Sequence, residues 1–246
     1  MLNPNRKRKK PSPVVGPTLR ATPFGMSSSG AVTQLLTDRQ RQQLAAVAAC
    51  LRVPAKTLLY QADSPATSIW IVDAGVVKSI RELPSGKRQI TAFLFSGDIF
   101  GLAENGQYVN TTRTVTAATI YRIPLEVLAD ILRRDPELEF QFLCKMAHEV
   151  RELQRRSIII SRRDAPGRVA MLLAMLARNE VGTDATDDIV PVPMSRVDIA
   201  EFLNLTPEAV SRASKKLARD NIAAFTGRHY IRILDQERFN QLVAAV

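Results

Sequence analysis

Glu208, Ser211 and Arg212 stand close together in Pro207-Glu208-Ala209-Val210-Ser211-Arg212. On a helix advancing ~100° per residue, Glu208, Arg212, Lys215 and Arg219 share one face, with Ser211 beside them. Val210 and Leu217 point the opposite way. A guanidinium can bond guanine O6 and N7 together, and a carboxylate can accept from cytosine N4. A helix lying in the major groove reads bases with its N-terminal residues. Glu208, Ser211 and Arg212 are therefore candidate base readers. Lys215 and Arg219, further along, would meet phosphates. From Thr206 to Arg219 there are four basic residues and one acid, so the exposed face suits a polyanion.

The residues that must hold this helix lie just upstream. Ser195 can cap a helix with Asp198 three residues on, the pattern of a capping box. That helix carries Val197, Ile199, Ala200, Phe202 and Leu203. Asn204-Leu205 makes a turn, Thr206 caps the next helix, and Pro207 takes its first position. Ala200 is small where the two helices approach. Asn204 tolerates the left-handed conformation, and Val210 fills the space between. Two short helices joined this way make the DNA-reading helix-turn-helix. Ile222 to Ile233 then alternates around Thr226-Gly227-Arg228, a β-hairpin or wing. Arg228 at its tip and Arg196 at the start of the first helix are further candidate phosphate contacts. An arginine at such a tip can equally stand in solvent.

Other chemistries are poorly supplied. No P-loop, GxSxG or HExxH pattern occurs, and no convincing acid–base pair, which argues against an enzyme. Cys50 and Cys144 make neither a CxxC pair nor a metal-ligand spacing, and His148 and His229 are the only histidines. No metal and no other cofactor is expected. In a reducing cytosol both thiols stay free. Cys144 reads as a small buried hydrophobe, with redox control as the alternative.

The chain has 246 residues and a net charge of +10. Residues 1–37 hold six basic residues and no acid, so most of the excess lies in a Pro-, Ser- and Gly-rich segment. Residues 1–34 read as a disordered basic tail. The apolar runs are too short to span a bilayer and the N-terminus lacks a secretory pattern, so the expected location is the cytoplasm, with no membrane contact.

Residues 35–134 begin with a short helix from Asp38 to Ala49. Ile69 to Val72, Val76 to Ile80, Gln89 to Phe95 and Thr112 to Ile123 then read as short strands between turns, an antiparallel sandwich or barrel. Leu125 to Arg133 makes a helix. Asp135-Pro136 opens a long one across residues 135–162. In it Leu143, Met146, Val150, Leu153, Ser157 and Ile160 step by three and four, an a/d seam flanked by Lys145, Glu149, Arg151, Glu152, Arg155 and Arg156. The seam fits a second copy of the chain, and packing on its own domain is the alternative. Residues 163–246 open with a helix from Pro166 to Asn179 and carry the helix-turn-helix.

This order, with Pro193-Met194-Ser195-Arg196-Val197-Asp198-Ile199-Ala200 and Pro207 to Arg212, resembles the Crp/Fnr family of bacterial transcription regulators over residues 35–245. Gly97-Asp98-Ile99-Phe100-Gly101 is similar to the glycine-bounded turn of that family's β-roll. Glu208, Ser211 and Arg212 match the E-x-x-S-R signature of the Fnr and FixK branch; the catabolite-activator branch has Arg where this chain has Pro207. The resemblance implies an α+β fold: an N-terminal antiparallel β-roll like a cyclic-nucleotide-binding domain, a long dimerisation helix and a C-terminal winged helix-turn-helix. It also implies a homodimer acting on double-stranded DNA at half-sites like TTGAT, usually as an activator that contacts RNA polymerase. Fnr oxygen sensors hold an iron–sulfur centre with a cysteine cluster, which two thiols cannot supply. Cyclic-AMP binders carry Glu after the second glycine and later an Arg-Ser pair. Here those positions fall on Leu102 and Thr111, and Arg113-Thr114 imitates the pair only with a shift. Gly97, Gly101, Arg113 and Thr114 are thus the candidate pocket of the alternative reading, a cyclic-nucleotide-responsive regulator. In the main reading the roll holds no ligand, and abundance or a partner sets activity.

Overall fold

The computed structural model describes residues 16–22, 32–101, 103–161, 164–179, 189–226 and 229–244. The first half alternates between two sheets. A ribbon of Arg20–Ala21 (β1) and Thr33–Gln34 (β2) precedes helix Asp38–Val47 (α1). Then come Ala49–Val53 (β3), Leu58–Tyr60 (β4), Ser68–Ala74 (β5), Val77–Glu82 (β6), Arg88–Leu94 (β7) and Ile99–Phe100 (β8). A small hairpin, Ala103–Glu104 (β9) with Gln107–Tyr108 (β10), leads to Thr111–Thr114 (β11) and Ala118–Pro124 (β12). The sheets are antiparallel and run β4-β11-β6-β7 and β3-β12-β5-β8.

Strand β5 shows why they face each other. Alternate side chains point to opposite faces. Trp70 and Val72 turn inward to meet Val77, Leu94, Phe100 and Ile120. Ile69 and Ile71 turn outward onto Leu44, Leu128, Leu138 and Phe142. That outer layer is built by α1, by Leu125–Arg134 (α2) and by Pro136–Ser161 (α3). Asp135 caps the long helix, its carboxylate accepting from Leu138 N at 3.0 Å.

The second half holds Ala165–Asn179 (α4), Ile189–Pro191 (β13), Arg196–Leu203 (α5), Pro207–Arg219 (α6), Ala223–Phe225 (β14), Tyr230–Ile233 (β15) and Gln236–Ala244 (α7). Its sheet runs β13-β15-β14. This winged domain lies on the free face of the first sheet. Ile80, Ile90 and Phe93 join its core, and the Phe93 and Phe202 rings sit 4.9 Å apart. Lys78 pairs with Asp198, Arg88 with Glu201, and Gln89 donates to the Glu201 carbonyl. Arg156 donates to the carbonyls of Ile90 and Thr91 and lies over the Phe202 ring.

Three expectations change here, and one strand is new. Residues 16–22, expected in a disordered tail, belong to the fold: Leu19 and Ala21 have no exposed surface. Leu35 N donates to Leu19 O at 2.8 Å, and Arg20 N to Gly97 O at 3.2 Å. Two apolar anchors are lost in a composition averaged over thirty-odd residues; the tail before residue 16 lies outside the described residues. Helix α1 stops at Val47, and Ala49 opens a strand. Thr112 to Ile123 divides into β11 and β12, which enter different sheets. Strand β13 had no expectation, since its Pro191 weakens a strand pattern; β13 is an edge strand, where proline is tolerated. Among the described residues, no helix is long and apolar enough to cross a membrane.

Candidate nucleic-acid interface

The helix-turn-helix is built from reciprocal caps. Asp198 N donates to Ser195 Oγ at 3.1 Å, and Ser195 N donates to the Asp198 carboxylate at 3.3 Å. Asn204 ends α5 in the left-handed region, φ 53° and ψ 49°. Leu205 N then donates to Ala200 O. Thr206 caps α6 by accepting from Ala209 N at 3.2 Å, and Pro207 occupies the first turn. Ala200, Leu203, Val210, Ala213 and Leu217 are buried in the core of the winged domain, while Phe202 is buried against Phe93 of the roll. The turn is thus fixed at both ends, and α6 is held with its buried stripe inward.

The opposite stripe faces solvent. Glu208, Arg212, Lys215, Lys216 and Arg219 are exposed, and Ser211 is half-buried beside them. Glu208 sits in the first turn, where its own backbone amide and then the Thr206 hydroxyl hold its carboxyl below the usual carboxylate range. It is a ready acceptor at neutral pH. Arg212 lies one turn on, ~6 Å along the axis. At the far end Lys216 and Arg219 lie 3.8 and 3.7 Å from Asp220 carboxylate oxygens. Arg196 is exposed at the start of α5, its guanidinium 5.8 Å from the centre of the Phe225 ring in the wing. The start of the first helix thus lies beside the wing. Arg228 lies outside the described residues.

The long helix divides its apolar residues. Leu143, Val150 and Leu153 are 56, 54 and 58% exposed, and Ile160 is 38% exposed. Met146 instead packs partly buried against the core of its own domain. Phe140, which the sequence reading omitted, is half-exposed near the start of the same helix. Lys145, expected as a solvated flank of the seam, is completely buried. Its ammonium donates to the Arg20 carbonyl at 2.9 Å and lies 2.7 Å from both Asp98 and Glu149. Burial, then the nearby Asp98 charge, pushes Glu149 up to about 7 against the pull of Lys145. Burial and then Lys145 hold His148 below its ordinary value.

The four candidate ligand-pocket residues are not gathered. Gly97 has φ 88°, and a Cβ there would stand 2.8 Å from Arg20 N; at Gly101 it would stand 2.5 Å from the Trp70 ring. Close packing, not a ligand, requires both glycines. Arg113 and Thr114 are neighbours on β11 and therefore point to opposite faces. Arg113 is exposed, while buried Thr114 donates to Pro54 O and accepts from Thr57 N. They cannot grip one phosphate together. The inside of the roll is occupied by stacked rings. Tyr60 and Tyr108 centroids are 3.9 Å apart, and Trp70 donates its indole N–H to Tyr108, which donates to Ser68 O. Cys144 is buried and Cys50 exposed, both as free thiols. Among the described residues, no three His, Cys, Asp or Glu side chains are placed to hold a metal ion.

Comparison with known proteins agrees with this geometry. A cyclic nucleotide-binding domain family matches residues 50–135, and a Crp-like helix-turn-helix domain family matches residues 167–242. The nitrogen fixation regulation protein FixK of Bradyrhizobium diazoefficiens is 30% identical over 188 residues, 76% of this chain and 78% of that protein. The transcriptional activatory protein AadR of Rhodopseudomonas palustris is 28% identical over 195 residues, 79% of this chain and 81% of its own. The structure of FixK2 from Bradyrhizobium japonicum superposes with a TM-score of 0.72 at 29% identity, covering 81% of this chain and 99% of that one. With a β-roll, a long helix and a capped helix-turn-helix in that order, the chain belongs to the Crp/Fnr family of DNA-binding transcription regulators.

Proposed function

We propose that the protein is a homodimeric activator that reads TTGAT-type palindromes with Glu208, Ser211 and Arg212. The observation that carries this is the α6 face: an ionised acceptor and a guanidinium one turn apart, exposed, at the N-terminal end of a helix whose other side is buried. Arg212 takes guanine O6 and N7, Glu208 accepts from a cytosine or adenine amino group, and Ser211 lies against thymines. Lys215, Arg219, Arg196 and Arg228 meet phosphates, which position the helix without reading sequence.

A two-fold operator requires a two-fold protein. The stripe Leu143, Val150, Leu153 and Ile160 supplies the surface for it, since a long exposed apolar row is an unfavourable thing to leave in water. Met146 flanks that row from the inner side. The name of AadR, a transcriptional activatory protein, supports an activating role, which in this reading is exerted on RNA polymerase in the cytoplasm. The roll carries no nucleotide in this reading, its interior being taken by Tyr60, Trp70, Phe100 and Tyr108.

Fluorescence anisotropy on a TTGAT palindrome, a TGTGA palindrome and a scrambled duplex tests the assignment. The TTGAT duplex should bind about a thousandfold tighter than the scrambled one at physiological salt. Equal affinity for all three would defeat it, and preference for TGTGA would move the chain to the catabolite-activator branch.

A further inference from the structure

A cavity of about 160 Å³ opens where the β-roll, the long helix and the DNA-binding domain meet. Its floor is apolar: Phe93 and Phe95 from β7 and its end, Met175 from α4, Phe202 from α5, and Leu153 at the rim. Its size is close to that of a protein cavity that admits one benzene ring. It lies outside the roll, on the far side of the first sheet from the stacked tyrosines.

The charged lining is unbalanced. Arg20, Arg155, Arg156 and Arg178 face three carboxylates, Asp98, Glu149 and Glu152. Asp98 and Glu149 both stand 2.7 Å from the buried Lys145 ammonium, and Glu152 accepts from Arg155. Arg156 is held by two main-chain carbonyls, which carry no net charge. Arg178, at the mouth on α4, is pushed down by burial first; Glu152 then holds it up and Arg155 pushes it down, so Arg155 and Arg178 share the single carboxylate of Glu152. Two arginines that line an apolar hollow and share one carboxylate leave a positive charge over, a site for an anion with an apolar body.

We infer that this cavity binds a small organic anion, with a carboxylate between Arg155 and Arg178 and a hydrocarbon or ring against Phe93, Met175 and Phe202. Such a ligand touches both domains and the dimer helix at once. Bound there, it favours the arrangement in which α5 rests on β7, and by linkage it shifts DNA affinity by the factor with which DNA shifts its own. This regulatory consequence rests on the DNA-reading assignment above; the binding itself does not.

The test therefore measures binding without DNA first. Benzoate and hexanoate are titrated into the full chain by calorimetry and thermal shift, beside benzamide and inorganic phosphate. Either acid should bind and raise Tm, about tenfold or more tighter than benzamide or phosphate. Arg178→Gln should weaken the acids about tenfold and leave benzamide unchanged, while Met175→Trp, filling the hollow, should abolish acid binding. Arg178→Gln changes an exposed side chain, so it keeps the test sound if Met175→Trp fails to fold. Failure of both acids to bind would overturn the inference, as would binding indifferent to Arg178→Gln, or phosphate binding as tightly as the acids. DNA titration with and without the acid follows. Acid binding with unchanged DNA affinity would remove the regulatory consequence, and loss of TTGAT preference altogether would instead indict the DNA assignment.

Discussion

Arg212 and Lys215 stand on one face of one helix, yet their loss should look different. Arg212→Ala should cost ~1–3 kcal/mol per half-site and relax the preference at the guanine. Lys215→Ala or Arg219→Ala should weaken specific and scrambled duplexes alike and lower the salt slope by about one per phosphate contact. Titrating both duplexes at two salt concentrations separates the cases; if Arg212→Ala weakened both equally, Arg212 would be a phosphate contact. Glu149 makes a pH prediction. Its folded pKa of about 7 lies above the ordinary 4.5. A carboxyl raised on folding contributes stability that is full below the unfolded value and is lost as pH rises through the folded one. His148, lowered from 6.5, works the other way, its contribution being lost as pH falls. Glu149→Gln removes the first effect and leaves the second. Relative to this variant, the wild type should lose stability, on the order of 3 kcal/mol, between about pH 5 and 8 by urea unfolding. A constant difference across that range would refute the assignment. The exposed place of Arg212 was legible because it follows from neighbours within one helix. Lys145 was not, because the groups that make its burial tolerable, Asp98 and the Arg20 carbonyl, lie 47 and 125 residues away.

At the scale of elements, caps and turns carried most of the information. Ser195, Asp198, Asn204, Thr206 and Pro207 bond as their types require, all within a few residues of one another. Asn204 takes φ 53°, so Asn204→Ala should lose roughly 1 kcal/mol in urea unfolding and Asn204→Gly should recover most of it. Equal losses would show that the Lys87 contact to the Asn204 carbonyl oxygen of its amide, not the backbone, matters there. The long helix was found by its period but its faces were only partly sorted. Its row at Leu143, Val150 and Leu153 is exposed, whereas Met146 turns to its own domain. Val150→Glu should separate the protomers in sedimentation and weaken operator binding by at least the factor that halving the contacts brings; a dimer of undiminished strength would refute the seam. Short strands such as β3, β4 and β13 were missed because three to five residues leave too little period to see.

At the scale of the molecule, the resting place of the winged domain on the roll was invisible in the sequence. Lys78 and Asp198 are 120 residues apart, and Gln89 and Glu201 are 112 apart; neither pair has a local pattern. The same docking settles a hazard of the roll. Strand β7 ends its sheet, with β6 on one side only. A bare strand edge invites strands of other molecules and so seeds aggregation. Here Arg156 occupies two of the edge carbonyls, Ile90 and Thr91, and Gln89 is tied to α5. Arg156→Ala should therefore scatter more light than the wild type on gentle warming, with species larger than a dimer, whereas Arg156→Lys should lie between them. Were Arg156→Ala as free of large species as the wild type, the edge would owe its protection to α5 alone. Holding the reading head against the roll is then also what keeps neighbouring molecules in a crowded cell from adding themselves, strand by strand, to this one.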